Sequence, residues 1–101
     1  MRWNINYLDA VEKWLDGLTK EQLGFLAKEI RLLELCGNSL RLPHSRSLGD
    51  GLMELRERRF GLRIYYCFQQ DRSILLLCGG NKSSQIKDIK KAAALLRKVK
   101  R

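Results

Sequence analysis

Residues 73–78 read Ser-Ile-Leu-Leu-Leu-Cys, an apolar run bounded by turn residues and too short for a buried helix. As a strand it has no polar face, so it belongs inside a sheet that is covered on both sides. That placement constrains everything around it. The two segments before it supply neighbours: Leu62–Gln69 alternates Leu62, Ile64, Tyr66 and Phe68 against Arg63, Tyr65, Cys67 and Gln69. Leu52–Arg58 likewise alternates Met53 and Leu55 against Glu54, Arg56 and Arg58. Arg59-Phe60-Gly61 and Gln70-Asp71-Arg72 reverse the chain between these segments, so the three strands form an antiparallel meander.

The cover for that sheet comes from helical patterns. Trp3–Tyr7 alternates as a short strand, and from Asp9, read as an N-cap, Val11, Trp14, Leu15 and Leu18 share one helical face. Thr19 and Gln22 form a capping box for a second helix with Leu23, Leu26, Ala27, Ile30 and Leu33 inward, ending near Gly37. Gly37 to Gly51 reads as a basic loop holding Arg41, Pro43, His44 and Arg46. After Gly79-Gly80, Asn81 and Ser83 are candidate caps for a last helix with Ile86, Ile89, Ala93, Leu96 and Val99 on one side and mostly lysine on the other. The order is strand, two helices, meander, helix. This is an α+β domain, expected as a single unit over residues 1–101.

Charge narrows the partners. Of 101 residues, 20 are Lys or Arg against 11 Asp or Glu, a net +9, and eight of the bases fall between Lys82 and Arg101 with one acid, Asp88. Such a tail suits a phosphate backbone or an acidic protein segment. Cys36, Cys67 and Cys78 show no paired spacing and read as reduced, mostly buried thiols. With no apolar leader and no segment of membrane-span length, the expectation is a cytoplasmic protein. One histidine and three scattered cysteines offer no metal-ligand spacing, so neither metal nor other cofactor is expected.

Arg63 and Tyr65 project from one strand face, and Arg56 lies on the polar face of the preceding strand. Two readings stay open. The arginines grip a phosphate with their planar forks, or they pair with Glu54 or Glu57 on a wet sheet face. Lys82, where the sheet end meets a helix start, favours anions for the same electrostatic reason. His44 is a proton carrier in principle and a bystander on position alone.

The segments LPHSRSLGDGLMELR (Leu42 to Arg56), GLRIYYCF (Gly61 to Phe68) and LLLCGGNKSSQIKDIKKA (Leu75 to Ala92) resemble the RelE/ParE superfamily of toxins, in its HigB-like, phage-derived branch. The resemblance covers nearly the whole chain and rests on three motifs in one order. It implies two N-terminal helices packed on an antiparallel sheet with a basic C-terminal helix. It also implies a type II toxin that cleaves mRNA without a metal, commonly in the 70S ribosome, and is neutralised by a co-encoded helix-turn-helix antitoxin. On this resemblance Arg56, Arg63, Lys82 and Tyr65 are the catalytic set. Arg63 would hold the scissile phosphate, Arg56 and Lys82 would balance charge, and Tyr65 would stack on a base. His44, Arg46, Arg58, Arg59, Lys87, Lys90 and Lys91 are the RNA- or ribosome-binding set. The resemblance also implies that several relatives place a histidine or another acid–base group near the C-terminal end of the sheet, and this chain has no histidine after His44. The ParE side shares the fold but poisons gyrase, and a non-enzymatic binding module is the third reading.

Overall fold

Alternation in the meander builds a five-stranded sheet in the computed structural model, which describes residues 2–100. Arg101, the last base of the tail, lies outside the described residues. The strands are β1 (Asn4–Tyr7), β2 (Ser45–Gly49), β3 (Leu52–Glu57), β4 (Leu62–Gln69) and β5 (Ser73–Asn81), in the order β1-β5-β4-β3-β2. The helices are α1 (Asp9–Asp16), α2 (Lys20–Cys36) and α3 (Gln85–Val99). As expected, β3, β4 and β5 run antiparallel, with Leu55 opposite Ile64 and Arg56 opposite Arg63.

Several expectations change. The sheet is mixed, because β1 pairs parallel to β5 from Asn4 opposite Ser73 to Tyr7 opposite Leu76. β2 occupies part of the presumed loop: Ser45, Arg46 and Ser47 pair with Leu55, Glu54 and Met53, and the Ser45 hydroxyl is bonded to that of buried Tyr66. β3 ends at Glu57 instead of Arg58, since the Glu57 carboxylate accepts the backbone N–H groups of Arg59 (2.6 Å) and Phe60 (3.1 Å) and so turns the chain. Leu8, not Asp9, is the cap of α1, which leaves Asp9 as a first-turn acid at the positive end of the helix. The Thr19–Gln22 capping box opens α2 as read.

The glycine pair was expected to lie beyond the sheet and is inside β5. A side chain at Gly79 would meet the Trp14 ring, and one at Gly80 would meet Asp88 and Ser84, so these positions let α1 and α3 close onto the strand. Asn81 then caps a single 3₁₀ turn, Lys82–Ser84, by accepting from the N–H groups of Ser83 and Ser84, and α3 starts one turn later than read.

Two cores result, one on each face of the sheet. Val11, Leu26 and Leu33 of α1 and α2 pack on Leu55, Ile64, Tyr66, Ile74 and Leu76. On the other face Ala92 and Leu96 of α3 pack on Leu52, Tyr65, Cys67, Leu75 and Leu77. A bulge assists here, since Tyr65 pairs with Cys78 and Tyr66 with Leu76, leaving Leu77 to join Cys78 beneath α3. The face that carries Arg63 is therefore half covered. No helix among the described residues is long and apolar enough to cross a membrane.

Candidate functional site

Strand register sets Arg46 of β2, Glu54 and Arg56 of β3 and Arg63 of β4 around one point on the α3 face. That point is the Glu54 carboxylate, which is fully buried. Its Oε1 accepts from Arg46 Nε at 2.9 Å and from Arg63 Nη1 at 3.2 Å, while Oε2 accepts from Gln85 Nε2 at 2.8 Å. Arg56 Nε stands 3.9 Å from Oε1. Burial alone would raise the pKa of this carboxyl. The hydrogen bonds from Arg46 and Gln85 and the charges of Arg46 and Arg63 outweigh that and hold it below the usual carboxylate range.

The pairing of arginines with Glu54, one of the two readings open from the sequence, is thus present, but on a covered face. It does not consume the cations. Three positive groups share one negative charge, and they are graded from floor to rim: the Arg63 side chain is 7% exposed, Arg56 32% and Arg46 42%. Arg56 Nε and Arg63 Nε are buried without a hydrogen-bond partner among the described residues. Arg56, Glu57, Arg58, Gly61, Arg63 and Lys82 line a cleft of about 210 Å³ at this end of the sheet. With Glu57 engaged by the turn, the cleft is strongly cationic. Forked guanidinium groups at its floor and a lysine at its lip suit a phosphate group.

Tyr65 departs from expectation. It lies on the Arg63 face, as strand alternation requires, but α3 covers it completely and its hydroxyl has no partner among the described residues. Burial, then the charges of Glu54 and Asp88, push that hydroxyl far above its ordinary pKa. It is a neutral part of the wall and has no free face for a base. Lys82 lines the cleft from the 3₁₀ turn, and Arg58 lines it from the end of β3. His44 is outside it: its Nδ1 is 2.8 Å from Glu29 of α2, across the sheet from Arg63. Arg59 lies over the rings of Phe25 and Phe60. Lys87 and Lys90 border an open groove of about 670 Å³ with Lys82 and Ile86, and Lys91 is exposed on α3. Sequence reading missed Gln85, whose tie to Glu54 links residues far apart in the chain and leaves no local signal.

A model of the phage-derived Gp49-like protein family matches residues 13–99. The chain belongs to that family. An uncharacterised Haemophilus influenzae protein is 44% identical over 55 residues, covering 54% of this chain and 56% of that protein. The match thus spans little more than half of that relative. HigB3 of Mycobacterium tuberculosis, named as a toxin, is 31% identical over 84 residues, 79% of this chain and 74% of HigB3. Solved structures show the same fold at low identity. The isolated RelE toxin of Escherichia coli matches with a TM-score of 0.63 and 16% identity over 86% of this chain and 98% of its own. A chain of the E. coli RelBE toxin-antitoxin complex matches at 0.64 and 15% identity, over 78% and 95%. The Gp49-like chain is thus similar to HigB3 in sequence and to RelE in fold.

Proposed function

We propose that this chain is the toxin of a type II toxin–antitoxin pair and that it cuts mRNA on the ribosome as an endoribonuclease. The cationic cleft at the β3–β4 end of the sheet carries this reading. RNA cleavage by the neighbouring 2′-OH needs no covalent help from the protein. The 2′ oxygen attacks phosphorus and loses its proton, the bond to the 5′ oxygen breaks, and that oxygen takes up a proton, leaving a 2′,3′-cyclic phosphate and a 5′-OH. What the protein supplies is position and compensation for the charge that builds on the pentacovalent phosphorus. Arg63, fixed at the floor by Glu54, grips the scissile phosphate, and Arg56 and Lys82 balance the developing charge. Tyr65 supports the floor from within the wall. Arg46, Arg58, Lys87, Lys90 and Lys91 give the outer surface that follows the RNA and ribosomal phosphates.

A co-encoded helix-turn-helix antitoxin is the proposed neutralising partner. The RelBE toxin-antitoxin complex, one chain of which has this fold, supports a protein antitoxin as partner, and the helix-turn-helix class comes from the family resemblance. Primer extension on mRNA after induction of the chain tests the activity. New 5′ ends inside reading frames, absent for Arg56→Ala and Lys82→Ala, are the expected result. Growth arrest with intact messages would overturn the ribonuclease reading in favour of a target such as gyrase.

A further inference from the structure

Phe25 belongs to neither hydrophobic core. It sits half-buried on α2, edge to face with Phe60, the ring centroids 5.7 Å apart at 73°. Two exposed cations lie against it: Lys28 Nζ is 5.1 Å from its centroid, and the Arg59 guanidinium is 5.6 Å from it and 5.9 Å from that of Phe60. The position is what gives the pair meaning. Phe60 is in the β3–β4 turn, where Gly61, next to it in the chain, and Arg58, two residues before it, line the cationic cleft. An aromatic pair thus stands at the same end of the sheet as the proposed phosphate site, joined to it through the β3–β4 turn, on the side away from α3.

A tether between the turn and α2 requires the Phe25–Phe60 contact but not the two flexible cations held against a half-exposed ring. Cations in that arrangement can yield the ring to a base and turn to the phosphates on either side of it, an exchange that conserves charge pairing. Every base has a π-face, whereas the Asp and Glu side chains of an acidic peptide would engage the cations and offer the ring no aromatic partner, so the combination favours nucleic acid. We infer that Phe25 and Phe60, together with Arg59, form a stacking subsite for one unpaired RNA base next to the scissile phosphate. The inference rests on the RNA-cleavage reading, and it gives to this platform the part that buried Tyr65 cannot take.

The test is a cycle of two changes, one in each partner. Cleavage of a single mRNA on programmed ribosomes is followed by primer extension for the unaltered chain, Phe25→Leu and Phe25→Tyr. Each message is used intact or with an abasic nucleotide at either position flanking the cut. Phe25→Leu is expected to lower kcat/KM by roughly fivefold to a hundredfold, with Phe25→Tyr near the unaltered chain. At one flanking position the abasic site should slow the unaltered chain by a similar factor and Phe25→Leu no further. Thermal unfolding of each variant removes folding defects from the comparison. If Phe25→Leu cleaves like the unaltered chain, or slows intact and abasic messages by the same factor, the subsite is overturned while the ribonuclease reading stands. If the unaltered chain makes no cut, that reading falls and the subsite with it.

Discussion

Glu54 has the most consequential environment of any side chain in the molecule, because it is a buried anion whose partners are the groups proposed to hold substrate. Removing its charge leaves Arg63 buried and unpaired, a change that costs about 3–5 kcal/mol when a buried pair is broken. Arg46, at the rim, adds little to this. Glu54→Gln should therefore lower the urea midpoint at pH 7. The pH dependence has a definite sign. The folded pKa of Glu54 lies below its unfolded value, so its stabilisation is complete above the unfolded pKa, about 4.3, and fades as pH falls through the folded one. Urea titrations of the two proteins should converge as pH drops below about 4; a constant gap would contradict the ion-pair account. Arg56→Ala and Lys82→Ala are different in kind. Both side chains reach solvent, so cleavage should be lost while the unfolding free energy stays within about 0.5 kcal/mol of the parent for exposed Lys82 and falls somewhat further for Arg56, which is partly buried beside Glu54.

Between elements, the closest approaches run through β5. A methyl group at Gly79 meets the Trp14 ring of α1, so Gly79→Ala should destabilise by about 1–3 kcal/mol in thermal or urea unfolding, without touching the cleft. Loss of the capping hydroxyl in Thr19→Ala should cost about 1 kcal/mol by the same measurement. The elements that were legible in the sequence are those with local causes: alternation in β3 and β4, the Thr19 box, the apolar faces of α2 and α3. β2 was not, because Ser45 and Arg46 carry no periodic signal and become a strand through partners elsewhere, Tyr66 and Glu54. Gly79 and Gly80 look like punctuation, and what keeps them in the strand is a tryptophan and an aspartate from two helices. For Tyr65, period two gives the side of the sheet but not what covers it. Arg56 and Arg63 were readable as one cationic face from spacing, Lys82 joined them only through the family resemblance, and the assembly of the arginines around one carboxylate required the register.

Across the whole molecule, charge governs encounter with substrate. If the outer cations follow phosphates, log affinity for single-stranded RNA or loaded ribosomes should fall linearly with log salt, and removing one contacting cation such as Lys82 should reduce the slope by about 0.7. A slope unchanged in Lys82→Ala would remove that residue from the interface. The parallel pairing of β1 with β5 bears on when any of this can begin. Asn4 finds its partner at Ser73, after α1, α2 and the other three strands, so the first strand waits for its place until the fifth has been made. Lys82 and Gln85 come later still. A nascent chain therefore has neither a closed sheet nor a complete cleft until synthesis has passed Gln85, and the earlier part of the fold waits on that short stretch.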